Sequence, residues 1–182
     1  NYISNLLKFD KNDFIIISDL DEIPNLENIN LEILLKKYEY IFFAQDLFYY
    51  KFNNQNSTFK KWPGSRGCQL KNLVSPQHLR NTKFPRKYEF FKRYFSKNYV
   101  VDDGGWHFSF IFKTNEIIKK IKSFAHKEWN NSFFTDKKKV EERINNNLDL
   151  FDRGYVYKKY HQNKWPKYIL ENKEKFKEYL IT

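Results

Sequence analysis

Ser18-Asp19-Leu20-Asp21-Glu22-Ile23-Pro24 sets two carboxylates one residue apart, just beyond the apolar run Phe14-Ile15-Ile16-Ile17. Alternate residues of an extended chain share a face, about 6–7 Å apart, so Asp19 and Asp21 are expected to aim at one site. Carboxylates that close repel unless a proton or a cation neutralises them. A hard divalent ion, Mg²⁺ or Mn²⁺, is the natural partner for such oxygen donors and keeps open positions for phosphates. Taken alone, Asp-x-Asp equally describes an acidic turn; its place at the end of an apolar strand is what strengthens it. Ile23 precedes proline, which disfavours helix there and ends the strand.

A second constellation is Gly104-Gly105-Trp106-His107-Phe108-Ser109. Two glycines let the backbone turn sharply or pass close to another group. If the following segment is extended, Trp106 and Phe108 share one face and His107 and Ser109 the other. His107 could then complete a metal site with the aspartates, or be a hydrogen-bonded core histidine. In the third, Ser123-Phe124-Ala125-His126-Lys127-Glu128-Trp129, His126 and Glu128 are both candidates for general-base work.

These residues need elements to position them. Phe14–Ile17 suits a strand buried on both faces, as in a parallel sheet. Asn30 can cap a helix that places Leu31, Leu34, Leu35 and Tyr38 on one side. Tyr40 to Phe52 is rich in aromatic and β-branched residues, hence a strand region. Lys60 to Gly67 contains Trp62-Pro63-Gly64, a turn signal within a basic loop. Tyr99-Val100-Val101 leads into Asp102-Asp103-Gly104-Gly105, and Trp106 to Phe112 is again strand-like. Thr114 can cap a helix carrying Ile117, Ile118 and Ile121. Asp136 to Phe151 aligns Val140, Ile144, Leu148 and Phe151, with Gly154 where a C-terminal cap belongs. Pro166 opens a last helix. Strands alternating with helices argue for an α/β fold, and with neither a repeat nor a Pro/Gly/Ser linker, residues 1–182 are read as a single domain.

Composition narrows the classes. The 41% hydrophobic and 20% aromatic content excludes a disordered polyelectrolyte. Cys68 is the single cysteine, so no intrachain disulfide is available. No apolar run approaches the roughly 20 residues of a membrane span. A net charge of +11 predicts attraction to anions without choosing among nucleotide phosphates, anionic membranes and nucleic acid. The chain begins at Asn1 without a signal-like segment and is expected to be part of a longer or processed protein.

Together these pieces resemble glycosyltransferase family 17. The resemblance rests on Ile16-Ile17-Ser18-Asp19-Leu20-Asp21-Glu22-Ile23-Pro24, on Gly105-Trp106-His107-Phe108-Ser109, and on Pro166-Lys167-Tyr168-Ile169-Leu170-Glu171-Asn172, in that order. Joint occurrence of Asp-x-Asp with Glu-Ile-Pro and Gly-Trp-His is far more specific than Asp-x-Asp alone. The resemblance implies a GT-A-like fold, a mixed sheet flanked by helices. It also implies a UDP-sugar donor, UDP-N-acetylglucosamine, a glycan acceptor, and inversion at the anomeric carbon. Asp19 and Asp21 take the matching metal positions for Mn²⁺ or Mg²⁺, and His107 matches the family's Gly-Trp-His. An acidic residue of the family falls near Glu128, which is therefore preferred as the base over Asp103; His126 receives no role. In the mechanism that follows, Arg66 holds phosphate oxygens and Trp62 or Trp106 stacks on a sugar. A GT-A enzyme carries strand–helix units that hold the uridine before its Asp-x-Asp strand. Only Asn1 to Asn12 precede it here, so much of that N-terminal half is expected to lie on another segment.

Two alternatives come from other classes. A phosphohydrolase of the haloacid dehalogenase type would use Asp19 as nucleophile and Asp21 as acid, with Asp102 and Asp103 as later metal ligands. Against it, Ile23 replaces the expected Thr or Val, and Gly-Trp-His has no role. A basic nucleic-acid-binding module is supported only by charge and interleaved aromatics; no recognisable motif accompanies them, and nucleic acid is not the expected partner.

Overall fold

In a computed structural model, the chain is described over residues 9–27, 29–59, 61–84, 97–123, 127–160 and 165–181. It divides into two compact units, one made of Asn1–Gln45 and Pro63–Gly105, the other of Asp46–Trp62 and Trp106–Thr182. The architecture is α/β with a mixed sheet.

In the first unit, β1 (Phe14–Ile17) runs antiparallel to β5 (Trp62–Gln69), with Phe14 opposite Gln69 and Ile17 opposite Arg66. The first half of β3 (Tyr40–Tyr49) runs parallel to β6 (Asn98–Val101), Tyr40 opposite Asn98 and Phe43 opposite Val101. β5 lies between β1 and β3. Among the described residues β1 is thus an outer, antiparallel strand, half-buried along its whole length, where a fully buried parallel strand was expected. Its continuous apolar run has the same appearance in either setting, because periodicity cannot distinguish them. α1 (Leu31–Lys37) is capped by Asn30, whose side chain accepts from the Ile33 N–H at 3.0 Å. Tyr38 ends it in extended backbone instead of continuing the apolar face.

The Trp62-Pro63-Gly64 turn does not form; these residues open β5. Gly64 is required there by packing, since a Cβ at that position would lie 1.9 Å from Oε1 of the fully buried Gln45. A tertiary contact has put glycine where a local reading sees a turn. After β5, α2 (Pro76–Asn81) is capped by Ser75 through the His78 N–H at 3.0 Å, with Pro76 in the first turn.

In the second unit, the rest of β3 pairs in parallel with β7 (Gly105–Ser109), placing Asp46 opposite Trp106, Leu47 opposite His107 and Tyr49 opposite Ser109. On its other side stands β4 (Asn54–Asn56), which pairs antiparallel with β8 (Tyr157–Lys159). Side chains of a strand alternate between faces, and each face here has its own core. Leu47 and Tyr49 pack with Phe110, Ile117, Ile121 and Val140, drawing in α3 (Thr114–Ser123), α4 (Ser132–Thr135) and α5 (Lys137–Asn145). Phe48 and Phe108 pack on the opposite side with Ile169 of α6 (Lys167–Glu171) and with Phe52, Trp106 and Phe176. Burial on both faces explains why β3 is apolar without alternation, and each fully buried Phe there contributes about 2–3 kcal/mol.

α5 is shorter than its periodicity suggests. Asp136 caps it through the Lys139 N–H at 2.9 Å, and it stops at Asn145. Asn147 takes the left-handed conformation, φ 54°, while the Leu148 N–H reaches the Arg143 carbonyl at 2.8 Å and the Asn147 N–H reaches Ile144 at 3.3 Å. That is a Schellman ending with asparagine in place of glycine. Gly154, also at positive φ, belongs to a later turn, and Leu148 is exposed.

Candidate active site

Asp19 to Glu22 form a tight turn closed by the Glu22 N–H on the Asp19 carbonyl at 3.0 Å, with Leu20 fully exposed at its tip. The two aspartates therefore sit in a turn and not on an extended strand, the expectation from alternation. Asp19 is exposed and Asp21 half-buried. The Asp19 N–H also donates to Oε2 of Glu22 at 3.3 Å, so the motif's third acid ties the turn from inside.

Beneath this turn runs a chain of polar side chains. Ser18 follows the last residue of β1, and its hydroxyl meets that of Ser65 closely. Ser65, itself buried, receives Nε2 of Gln45 at 3.1 Å and donates to Oε2 of Glu22 at 3.4 Å. The acidic turn thus rests on two serine hydroxyls and on the side-chain amide of Gln45, which stands on β3.

The turn is also fastened to the Gly-Gly segment. The short strand β2 (Glu22–Pro24) leads to Asn25, whose N–H donates to the Gly104 carbonyl at 3.0 Å, while the Gly104 N–H donates to Ala44 at 3.0 Å. Gly104 lies flat against β3: a Cβ there would come within 2.4 Å of the Ala44 nitrogen. Gly105, at φ 113°, would place a Cβ 2.1 Å from the Ile23 carbonyl. Both positions exclude any larger residue. Glu-Ile-Pro and Gly-Gly are therefore two sides of one backbone seam, which is a physical reason for the two motifs to occur together. Asp103, exposed, stands immediately before that seam.

Two arginines approach the acids. Arg80 of α2 forms an ion pair with Oδ1 of Asp19. Arg66 on β5 directs Nη1 to the Arg80 and Thr82 carbonyls, the latter at 3.0 Å, and lies over the Phe42 ring at 5.9 Å. Burial lowers the pKa of the Arg66 guanidinium; Glu22 opposes that shift, Arg80 adds to it and Asp19 opposes it. Arg66, expected to hold phosphate, here anchors the end of α2. Arg80, which carried no motif in the sequence, is a cation that meets the first acid of Asp-x-Asp.

The remaining candidates lie in the second unit. Trp106 and Phe108 share one face of β7, as the alternation requires, and Trp106 is half-buried against the Phe48 cluster. His107 lies on the opposite face, buried, its ring 4.6 Å from that of Trp62 in an edge-on contact. Glu128 is exposed in a short 3-10 turn, Lys127–Trp129. That turn is held by Nδ2 of Asn131 on the Glu128 carbonyl at 3.0 Å and by Trp129, whose ring packs 4.9 Å from Phe151. His126 lies outside the described residues. Among the described residues, no group of three or more His, Cys, Asp or Glu is placed to hold a metal ion.

The family model for glycosyltransferase family 17 matches residues 1–182. The chain belongs to glycosyltransferase family 17. No curated protein and no solved structure matches it. Membership of the family makes a sugar donor and an acceptor the relevant partners and leaves the phosphohydrolase and nucleic-acid alternatives without support. No helix among the described residues is long and apolar enough to cross a membrane.

Proposed function

We propose that this family 17 chain performs metal-dependent, inverting transfer of N-acetylglucosamine from UDP-N-acetylglucosamine to a glycan hydroxyl, on a GT-A-like frame. The observation that carries this reading is the Asp19–Glu22 turn at the end of β1, fastened through Asn25 to Gly104. Its two aspartates fit a hard divalent ion in donor type. With no larger ligand group among the described residues, Asp19 and Asp21 would hold Mn²⁺ or Mg²⁺ together with diphosphate oxygens and water, the usual habit of such ions. Bound there, the ion would supply Lewis-acid stabilisation of the departing UDP.

The chain's own residues do the rest. A carboxylate accepts the acceptor hydroxyl's proton as its oxygen bonds to the anomeric carbon, while the bond to the donor's β-phosphate oxygen breaks and the electron pair leaves with UDP. Attack from the face opposite the leaving group inverts that carbon. Glu128 is the base favoured by the family resemblance, and Asp103, on the loop of the Gly104 seam, is the second candidate. Trp106 offers an indole for a sugar face, and His107 is the histidine that the family resemblance pairs with the aspartates.

Calorimetric titration of the natural protein with UDP tests the reading. Binding should require Mn²⁺ or Mg²⁺ and disappear in Asp21→Asn. Equal affinity for UDP with a chelator present would sink it.

A further inference from the structure

The Asp19 carboxylate is met, among the described residues, by the guanidinium of Arg80, and that placement is built, not incidental to a wandering side chain. α2 begins at a Ser75 cap with Pro76 in its first turn, and its last turn is tied down by Arg66, which donates to the Arg80 and Thr82 carbonyls. Arg66 is in turn set by its register opposite Ile17, the residue before Ser18-Asp19. The strand that carries the acidic turn therefore also fixes the helix end that carries Arg80. Both side chains of the pair remain about half exposed, at 53% and 45%. A pair of that kind contributes little to stability and can be exchanged by a ligand at small cost.

A divalent ion and a guanidinium compete for one carboxylate oxygen. They need not compete for a diphosphate, which offers several anionic oxygens and suits the planar fork of arginine. Resting on the proposed metal-dependent reaction, we propose that Arg80 is a stand-in cation for Asp19. The divalent ion displaces it from the carboxylate, and it then moves onto the diphosphate of the nucleotide donor. No covalent step is involved; one ion pair is replaced by two. The arrangement neutralises Asp19 before the ion arrives and supplies a second positive group to UDP once it is bound.

The proposal predicts opposite signs for one substitution. In Arg80→Ala, Mn²⁺ alone should bind more tightly, by about two- to fivefold, because its competitor is gone. UDP at saturating Mn²⁺ should bind about tenfold or more weakly, because a charge-assisted contact is lost. Arg80→Lys should keep wild-type Mn²⁺ affinity and show an intermediate loss for UDP, since the charge remains and the fork does not. Both are read by calorimetry, alongside thermal unfolding, which should be nearly unchanged since Arg66 bonds only the main chain at position 80. Tighter Mn²⁺ with unaltered UDP affinity would overturn the transfer to diphosphate, and unaltered or weaker Mn²⁺ would overturn the competition. If the wild-type protein binds no Mn²⁺ at all, the metal reading of the site fails and this inference with it; if it binds Mn²⁺ and Arg80→Ala behaves like wild type, only the inference fails.

Discussion

Arg80 meets Asp19 at the surface, with side chains 53% and 45% exposed, whereas Arg153 meets Asp149 in the second unit with the acid's side chain only 4% exposed. The chemistry is the same and the surroundings are opposite. Asp149 accepts Nη2 of Arg153 at 2.8 Å, Nε at 3.2 Å, the Arg153 N–H at 2.5 Å and the Tyr157 hydroxyl at 3.4 Å; Nη2 also donates to the Tyr49 hydroxyl at 3.2 Å. Nearly every lone pair of that carboxylate is engaged by a group that the core holds in place. The Asp19 carboxylate is met by a side chain reaching from a neighbouring helix, and its own side chain stays 45% exposed. A cluster of perturbed ionisable groups usually suggests a site, yet here the more perturbed cluster is scaffold. The difference teaches that exchangeability, more than the size of a pKa shift, separates an acid that can take a ligand from one that holds the fold.

The largest effect should come from breaking the buried pair. Asp149→Asn leaves Arg153 without its counter-charge among aromatic rings, and urea unfolding should show a loss of about 3 kcal/mol or more. The pH dependence follows from the direction of the shift. Burial pushes the Asp149 carboxyl up, but hydrogen bonds and charge from Arg153, with the Arg153 and Phe151 N–H groups, outweigh it and hold the pKa below the ordinary value. A depressed folded pKa gives stability that is present above the unfolded value, about 3.9, and is lost as pH falls through the folded one. Wild-type stability should therefore fall below about pH 4, and the Asn variant should show a flatter decline over that range. Comparable decline in both would show that Asp149 is not the acid-sensitive group.

Next is the exposed carboxylate proposed as the general base. Glu128→Gln preserves size and removes basicity, so UDP affinity should survive while turnover falls about 10²-fold, equivalent to about 2.7 kcal/mol in the barrier. Normal turnover would exclude Glu128 as the base and make Asp103→Asn the next substitution to measure. Unlike Asp149→Asn, neither change should move the unfolding midpoint appreciably, because both acids are exposed.

The sequence makes some of this plain and conceals the rest for definite reasons. The Asn30 cap, the apolar face of α3 and the alternation along Trp106 to Ser109 are local properties, and each forms as its spacing implies. The strand at Pro63-Gly64 is not local: glycine is there because of Gln45, 19 residues away in sequence by the difference of their numbers, and only the folded chain reveals it. The seam between Ile23 and Gly105 explains a joint motif that the sequence displays without its cause. Arg80 gave no signal at all, since nothing around Gln77-His78-Leu79-Arg80 marks it as different from any other basic surface residue. The buried cluster was equally silent, because Asp149 falls inside the segment whose periodicity suggests a helix and nothing local marks it or Arg153.

The smallest effect tests the other side of the contrast. Asp19→Asn removes the charge that Arg80 meets but keeps the size of the side chain. The turn survives without the residue-19 carboxylate, since the Glu22 N–H still reaches the residue-19 carbonyl at 3.0 Å and the residue-19 N–H still reaches Oε2 of Glu22 at 3.3 Å. Arg80, half exposed, is hydrated and not stranded, so no desolvated charge is left behind as in Asp149→Asn. The expected stability change is under about 1 kcal/mol. It should shrink further at 1 M salt, where the screening length is about 3 Å. Thermal unfolding of wild type and variant at low and high salt measures it. A loss approaching that of Asp149→Asn, and insensitive to salt, would make Asp19 a structural acid as well; the turn would then have no carboxylate to spare for a ligand, and the distinction between the two pairs would collapse.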